Sequence, residues 1–121
     1  MAGLLMDVGA TLAQVDPEDC HANPTDPAVR EHPRLGHDFL RAGGAVPDEV
    51  AVACLEHHEF CDGSGYPRGL MGQDISLLGR MVAVCSGFDD LANNSLSRGG
   101  GGGVGPGAAI EAMKAQARLY D

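Results

Sequence analysis

The chain has 121 residues, a formal net charge of −9 and no tryptophan. That length allows one domain with a modest core, and the acidic balance argues against a nucleic-acid groove or an anionic membrane surface as the main partner. A small phosphorylated ligand is not excluded, because a bound cation supplies local positive charge.

Residues 1–8 are apolar from the first position and lack a capping residue. They read as the tail of a longer helix, so the expectation is a fragment of a larger protein, N-terminally incomplete. Residues 9–27 carry Gly9, Pro17, Asn23, Pro24 and Pro27 among acids and predict an irregular connection. Asp26 followed by Pro27 marks a helix start. That helix is expected to reach about His32, where Pro33 interrupts it, and a second short helix follows over residues 37–42. Gly43 and Gly44 end it, and Pro47 opens a helix over residues 48–59. Val50, Ala51, Ala53, Cys54 and Leu55 form its buried face, with His57 and His58 at its end.

Residues 60–75 form a glycine-rich loop. The spacing of Leu77, Leu78, Met81, Val82, Val84, Cys85, Phe88 and Leu91 predicts a helix over residues 75–91. Residues 95–107, with five consecutive glycines at 99–103, read as a flexible linker. Residues 108–120 hold strong helix formers and predict a last helix. The expected division is one unit over residues 1–94, the linker, and a C-terminal helix within residues 108–121. No strand alternation stands out, so the fold class is all-α, a helical bundle. No apolar run reaches membrane-spanning length, and no signal-peptide pattern is present. Cys20, Cys54, Cys61 and Cys85 form no C-x-x-C pair and read as free thiols, giving a cytoplasmic expectation.

Chemistry concentrates in the stretch His57-His58-Glu59-Phe60-Cys61-Asp62-Gly63-Ser64-Gly65-Tyr66-Pro67-Arg68. Two imidazoles and an acid end a helix beside a turn-forming run. Neighbouring helical residues point about 100° apart, so the pair is expected to serve two adjacent ions, or one ion and one substrate phosphate. The plain alternative is two imidazoles meeting the carbonyl end of a helix. Cys54, His57 or His58, and Cys61 also fall at zinc-compatible spacing, with His37 as a fourth donor. Otherwise Cys54 is a small core residue and Cys61 a loop thiol. The glycines at 99–107 lack the strand and the Lys-Ser/Thr of a phosphate loop.

The pattern H-H-E-x-x-D-G-x-G-Y-P at 57–67, H-P-x-x-G at 32–36 and the run from Arg80 to Leu91 together resemble the HD-GYP family. These are bacterial metal-dependent phosphodiesterases that act on cyclic di-GMP. The resemblance implies metal ligation by Asp7, His32, His57 and His58, with Asp7 as the catalytic bridging carboxylate. It places Gly65, Tyr66, Pro67 and Arg68 at substrate or partner contacts. The implied metal is iron or manganese, with zinc less suited. The implied reaction is attack of a metal-activated water on a phosphodiester.

Three positions depart from the family pattern. Met6 stands for a ligating His, Ala10 for a Lys, and Ser86 for the last ligating Asp. A thioether or a hydroxyl does not replace imidazole or carboxylate toward such ions. Two readings stay open at this point. One is a cyclic di-GMP phosphodiesterase domain of impaired catalysis. The other is a non-catalytic regulatory or protein-interaction module that keeps a Gly-Tyr-Pro surface toward a signalling partner. An incomplete core would also expose an apolar face and favour a homo-oligomer.

Overall fold

The computed structural model describes residues 1–16, 23–97 and 104–120, the side chains of 93–97 excepted. Cys20 and the glycine run at 99–103 lie outside these residues. Six α-helices are described: α1 (Ala2–Leu5), α2 (Val8–Ala13), α3 (Pro27–Gly43), α4 (Asp48–Glu56), α5 (Leu77–Ser97) and α6 (Pro106–Ala115). Two 3₁₀ turns, Gly72–Asp74 and Ala117–Leu119, complete an all-α architecture. In chain order α2 packs on α3, α3 on α4, α4 on α5 and α5 on α6, while α1 lies against α4 and α5.

Asp26 starts α3 as its position predicts, its carboxylate accepting the Ala28 N–H at 2.8 Å. Gly44 ends it in the left-handed conformation, φ +61°. Pro33, however, does not divide the helix, which runs unbroken from Pro27 to Gly43. A proline in a helix interior leaves the carbonyl four residues earlier without its N–H partner. Here that carbonyl is Val29's, and the His32 imidazole occupies it, Nδ1 to O at 2.5 Å. The side chain replaces the lost backbone donor.

Other elements also shift from their expected bounds. The N-terminal helix breaks at Met6–Asp7 and resumes as α2, so residues 8–13 are helical and not part of an irregular connection. α4 ends at Glu56, before the histidines. α5 continues to Ser97 and α6 starts at Pro106, which takes both ends of the expected linker into helices. The last helix stops at Ala115, and the chain turns back over Ala117–Leu119.

The apolar core is rich in alanine and valine, with Ile75, Leu40 and Tyr66 as its larger members. Ala2, Val50, Ala53 and Val82 form one group; Ala10, Val29 and Tyr66 a second; Leu40, Ala51 and Cys54 a third. Small residues let backbones come close, most visibly where α2 crosses α3. A Cβ on Gly9 would run into the His32 carbonyl and the Gly36 amide, and one on Gly36 would meet the Cys54 sulfur. The Cys54 thiol donates in turn to the Met6 carbonyl at 3.1 Å, which ties α4 to the break between α1 and α2. Burial first, and the Asp7 charge second, push this thiol from 9.0 up to about 12. Cys54, Cys61 and Cys85 are all free thiols.

Two outcomes follow from this packing. Gly9→Ala should cost roughly 1–3 kcal/mol by overpacking, lowering the thermal midpoint by roughly 4–8 °C per kcal/mol. Gly3→Ala, on the open side of α1 with nothing within 4 Å of the added carbon, should leave it unchanged or slightly raised. As to pH, the unfolded chain releases the Cys54 proton near its ordinary value and the folded chain only near 12. The folded state therefore holds more protons between those values, and stability should fall as pH rises from about 9 toward about 12. Urea midpoints across that window should show a shallower fall in Cys54→Ala.

Candidate metal centre

Four side chains from three separate places converge where α2, α3 and the end of α4 meet. Asp7, His32, His57 and His58 each offer one ligand atom, and these atoms all lie within 4.8 Å of one another. The backbone break before α2 delivers Asp7, the residue that precedes the helix. α3 supplies His32. The residues just past Glu56 supply His57 and His58, which lie outside the helix. The 100° separation expected of helical neighbours therefore does not apply: the chain turns at Glu56, the Glu59 N–H bonding to the Glu56 carbonyl at 2.8 Å. The two rings come to 4.1 Å between centroids.

The orientation of two imidazoles is set by backbone carbonyls. His32 Nδ1 lies 2.5 Å from the Val29 oxygen and His57 Nδ1 lies 2.6 Å from the Cys54 oxygen. A carbonyl only accepts, so both Nδ1 atoms carry hydrogen and both Nε2 atoms turn to the centre. There the two Nε2 atoms face each other at 3.2 Å, with Asp7 Oδ1 at 3.6 Å and 3.5 Å from them. Two imidazole lone pairs at that separation repel unless a cation lies between them. Ligands about 2.0–2.2 Å from one ion stand about 3–3.6 Å apart, so the separations suit a divalent cation. All three histidines are buried, which keeps bulk water from competing with such an ion.

His58 is held differently. Its ring stacks on Tyr66, centroids 4.7 Å apart and 18° from parallel, and the Arg30 guanidinium lies over the far side of Tyr66 at 5.0 Å. Tyr66 is only 5% exposed and packs against Ala10 and Val29. The Gly-Tyr-Pro segment therefore turns its tyrosine inward. Gly65 is buried as well, since a Cβ there would strike the His58 carbonyl, and the accessible part of the segment is Pro67 and Arg68.

Two buried carboxylates shape the loop without joining the metal group. Glu59 accepts the backbone N–H groups of Arg68 at 2.7 Å and Leu70 at 2.8 Å. Glu56 accepts the Ser76 N–H at 2.9 Å and pairs with the Arg68 guanidinium at 2.5 Å. Asp62 caps its own turn, accepting from the Ser64 N–H and hydroxyl, and these bonds lower its pKa. Sequence reasoning placed Glu59 and Asp62 merely near the ligands and missed Glu56. The available signal was a glutamate at the last position of α4, where the helix's negative end disfavours it.

The zinc grouping through Cys54, Cys61 and His37 does not form. The Cys54 thiol is engaged with backbone carbonyls, the Cys61 N–H bonds to the Leu119 carbonyl, and His37 faces Asp38 at 2.9 Å. The three departures from the family pattern, two of them at ligand positions, are all buried or partly buried. Met6 packs beside Ala2, Val50 and Val82; Ala10 is fully buried by Val29 and Tyr66; Ser86 is buried and faces both the histidine recess and the recess lined by Met6. No helix of the described residues is long and apolar enough to cross a membrane.

Comparison with known proteins gives the chain a family. A model of the HD domain matches residues 1–121. A cyclic di-GMP phosphodiesterase of Pseudomonas aeruginosa is 43% identical over 98 residues, 78% of this chain and 23% of that protein. A cyclic di-GMP phosphodiesterase response regulator of Xanthomonas campestris is 45% identical over 64 residues, 52% of this chain and 17% of its own length. A 3'3'-cGAMP-specific phosphodiesterase of Vibrio cholerae is 54% identical over 67 residues, 52% of this chain and 12% of that protein. The chain thus spans less than a quarter of the length of each of these relatives. With the HD model matched along its whole length and three buried histidines gathered on one aspartate, the chain belongs to the HD domain family, in its HD-GYP branch.

Proposed function

We propose that this domain is a phosphohydrolase module that holds one divalent ion through Asp7, His32, His57 and His58 and cleaves a cyclic dinucleotide phosphodiester slowly. The observation that carries this reading is the convergence of those four ligand atoms within 4.8 Å, two of the imidazoles pre-oriented by backbone carbonyls. Iron and manganese suit the mixed imidazole and carboxylate donors, and zinc is the less suited ion by resemblance. When bound, such an ion lowers the pKa of a coordinated water and neutralises phosphate charge. The chain's own residues position and shield. Asp7, the only carboxylate of the four, is the candidate catalytic residue beside the attacking water; Tyr66 fixes the His58 plane; Glu59 and Glu56 hold the loop that carries Tyr66. Pro67 and Arg68 offer the accessible contacts to substrate or to a signalling partner. The relatives act on two different cyclic dinucleotides, cyclic di-GMP and 3'3'-cGAMP, so both are substrates to try.

Slow turnover rests on Met6 and Ser86. Both line a recess whose other members include Ala2, Leu78, Met81 and Val82. A thioether and a hydroxyl stand there where a second ion would need imidazole and carboxylate donors, although Cys85 and Asp89 also line the recess, so a two-ion site would lack two of its donors. The same fact favours a second reading, a non-catalytic module that binds the nucleotide or a partner without cleaving it.

Metal analysis after manganese loading should find about one ion per chain. In His57→Ala it should fall by roughly 10–100-fold in affinity, the loss typical of even an outer-sphere partner. Cyclic di-GMP hydrolysis with manganese should be slow, absent in His57→Ala, and faster in the Met6→His, Ser86→Asp double variant, which should also take up more metal. Metal binding without turnover in either form would establish the non-catalytic reading.

A further inference from the structure

The C-terminal turn is fastened directly onto the histidine loop. The Cys61 N–H bonds to the Leu119 carbonyl at 2.8 Å, and the Phe60 and Tyr120 rings meet edge to face with centroids 6.0 Å apart. Arg118 Nε lies 3.8 Å from Asp62. On the other side Tyr120 rests on α5, its hydroxyl so close to Gly87 that a Cβ there would fall on it. Between turn, loop and α5 remains a cavity of ≈ 190 Å³ reached by His57, His58, Ser86, Asp90, Gln116 and Tyr120. Sites that take drug-sized ligands measure roughly 300–1,000 Å³, and a cyclic dinucleotide is larger than most such ligands. The cavity has space for a phosphoryl group, with hydroxyl and amide donors on Ser86, Tyr120 and Gln116. Asp90 adds negative charge, so an anion enters only with a cation on the histidines.

We propose that Tyr120 and the turn before it are the size-determining wall of this site: closed, they admit a phosphoryl group and exclude a whole cyclic dinucleotide, which binds only when the turn swings off Gly87. The inference rests on the metal reading above and adds to it a gate on substrate size. The wall needs no covalent step, only an equilibrium between a latched and an open turn. If the open form is populated at roughly 0.1–10%, apparent affinity for the large ligand falls by that fraction, while affinity for a ligand fitting the closed cavity does not.

Gly87→Ala tests this on the full chain. Alanine is favourable in a helix, and its methyl group takes the space of the Tyr120 hydroxyl, so the fold persists while the latch opens. Tyr120→Ala opens it from the other side. Hydrogen exchange at the Cys61 amide should accelerate in both variants. Calorimetry with manganese present should show cyclic di-GMP binding at least about tenfold tighter in both variants than in the wild type, and inorganic phosphate, which loses the Tyr120 donor, bound no tighter. Manganese uptake, measured separately, distinguishes the two readings. A chain that takes up no manganese sinks the metal reading, whereas manganese uptake with equal cyclic di-GMP affinity in all three forms sinks the wall alone. Equal cyclic di-GMP affinity, no binding by any form, or unaltered Cys61 exchange in both variants overturns the wall.

Discussion

Two short hydrogen bonds from imidazole to backbone carry this domain: His32 to Val29 and His57 to Cys54. Each runs from a ring nitrogen to the carbonyl three residues earlier, at a place where the helix cannot use that carbonyl in the usual way. In α3 the cause is Pro33, which brings no N–H. In α4 the cause is the end of the helix, where the last carbonyls lack intrahelical donors. Both defects of regular structure become anchors for a ring. The result is a fixed tautomer and a fixed aim, obtained without any further side chain. A neutral imidazole whose far nitrogen is held by a carbonyl is also a better ligand, since the bond orients the ring and raises its basicity.

Around this pair the interior is more polar than the chain's size would suggest. His32, Glu56, His57, His58, Glu59 and Ser86 are all buried. Burying charge costs stability unless each oxygen finds a donor, and the two glutamates find theirs in loop amides and Arg68. The loop from His58 to Ser76 thereby has its conformation set from within, by carboxylates that α4 and its end project into it. The apolar contribution is modest by comparison, built from alanine, valine and a few leucines. The architecture puts its interior at the service of one small site, and the helices around it are spaced by glycines and alanines so that backbones can reach that site.

Much of this was legible in the sequence. The pairing of His57 with His58, the turn-rich run after them, the His-Pro element and Asp7 point to four candidate ligands, and the structure brings all four together. Helical periodicity anticipated α5, though not its extension to Ser97, and Asp26–Pro27 marked the start of α3. What escaped the sequence were effects of tertiary context. Pro33 reads as a break because local rules assume that its orphan carbonyl goes unpaired, and only the placement of His32 shows otherwise. His57 and His58 read as diverging because the helix was expected to include them; an end three residues earlier reverses the conclusion. The inward turn of Tyr66 depends on Ala10, Val29 and Arg30, more than thirty residues away, and on no local pattern.

The carbonyl of Met6 receives the Cys54 thiol, and that bond helps to fix the break from which Asp7 emerges. Position 6 therefore serves the architecture through its main chain, which every amino acid possesses, and serves chemistry only through whatever side chain it bears. The two roles are separable. Exchanging an imidazole for a thioether at such a place erases a donor while leaving the scaffold's geometry in force. A domain wired in this way can change a side chain at the edge of its centre without changing its shape.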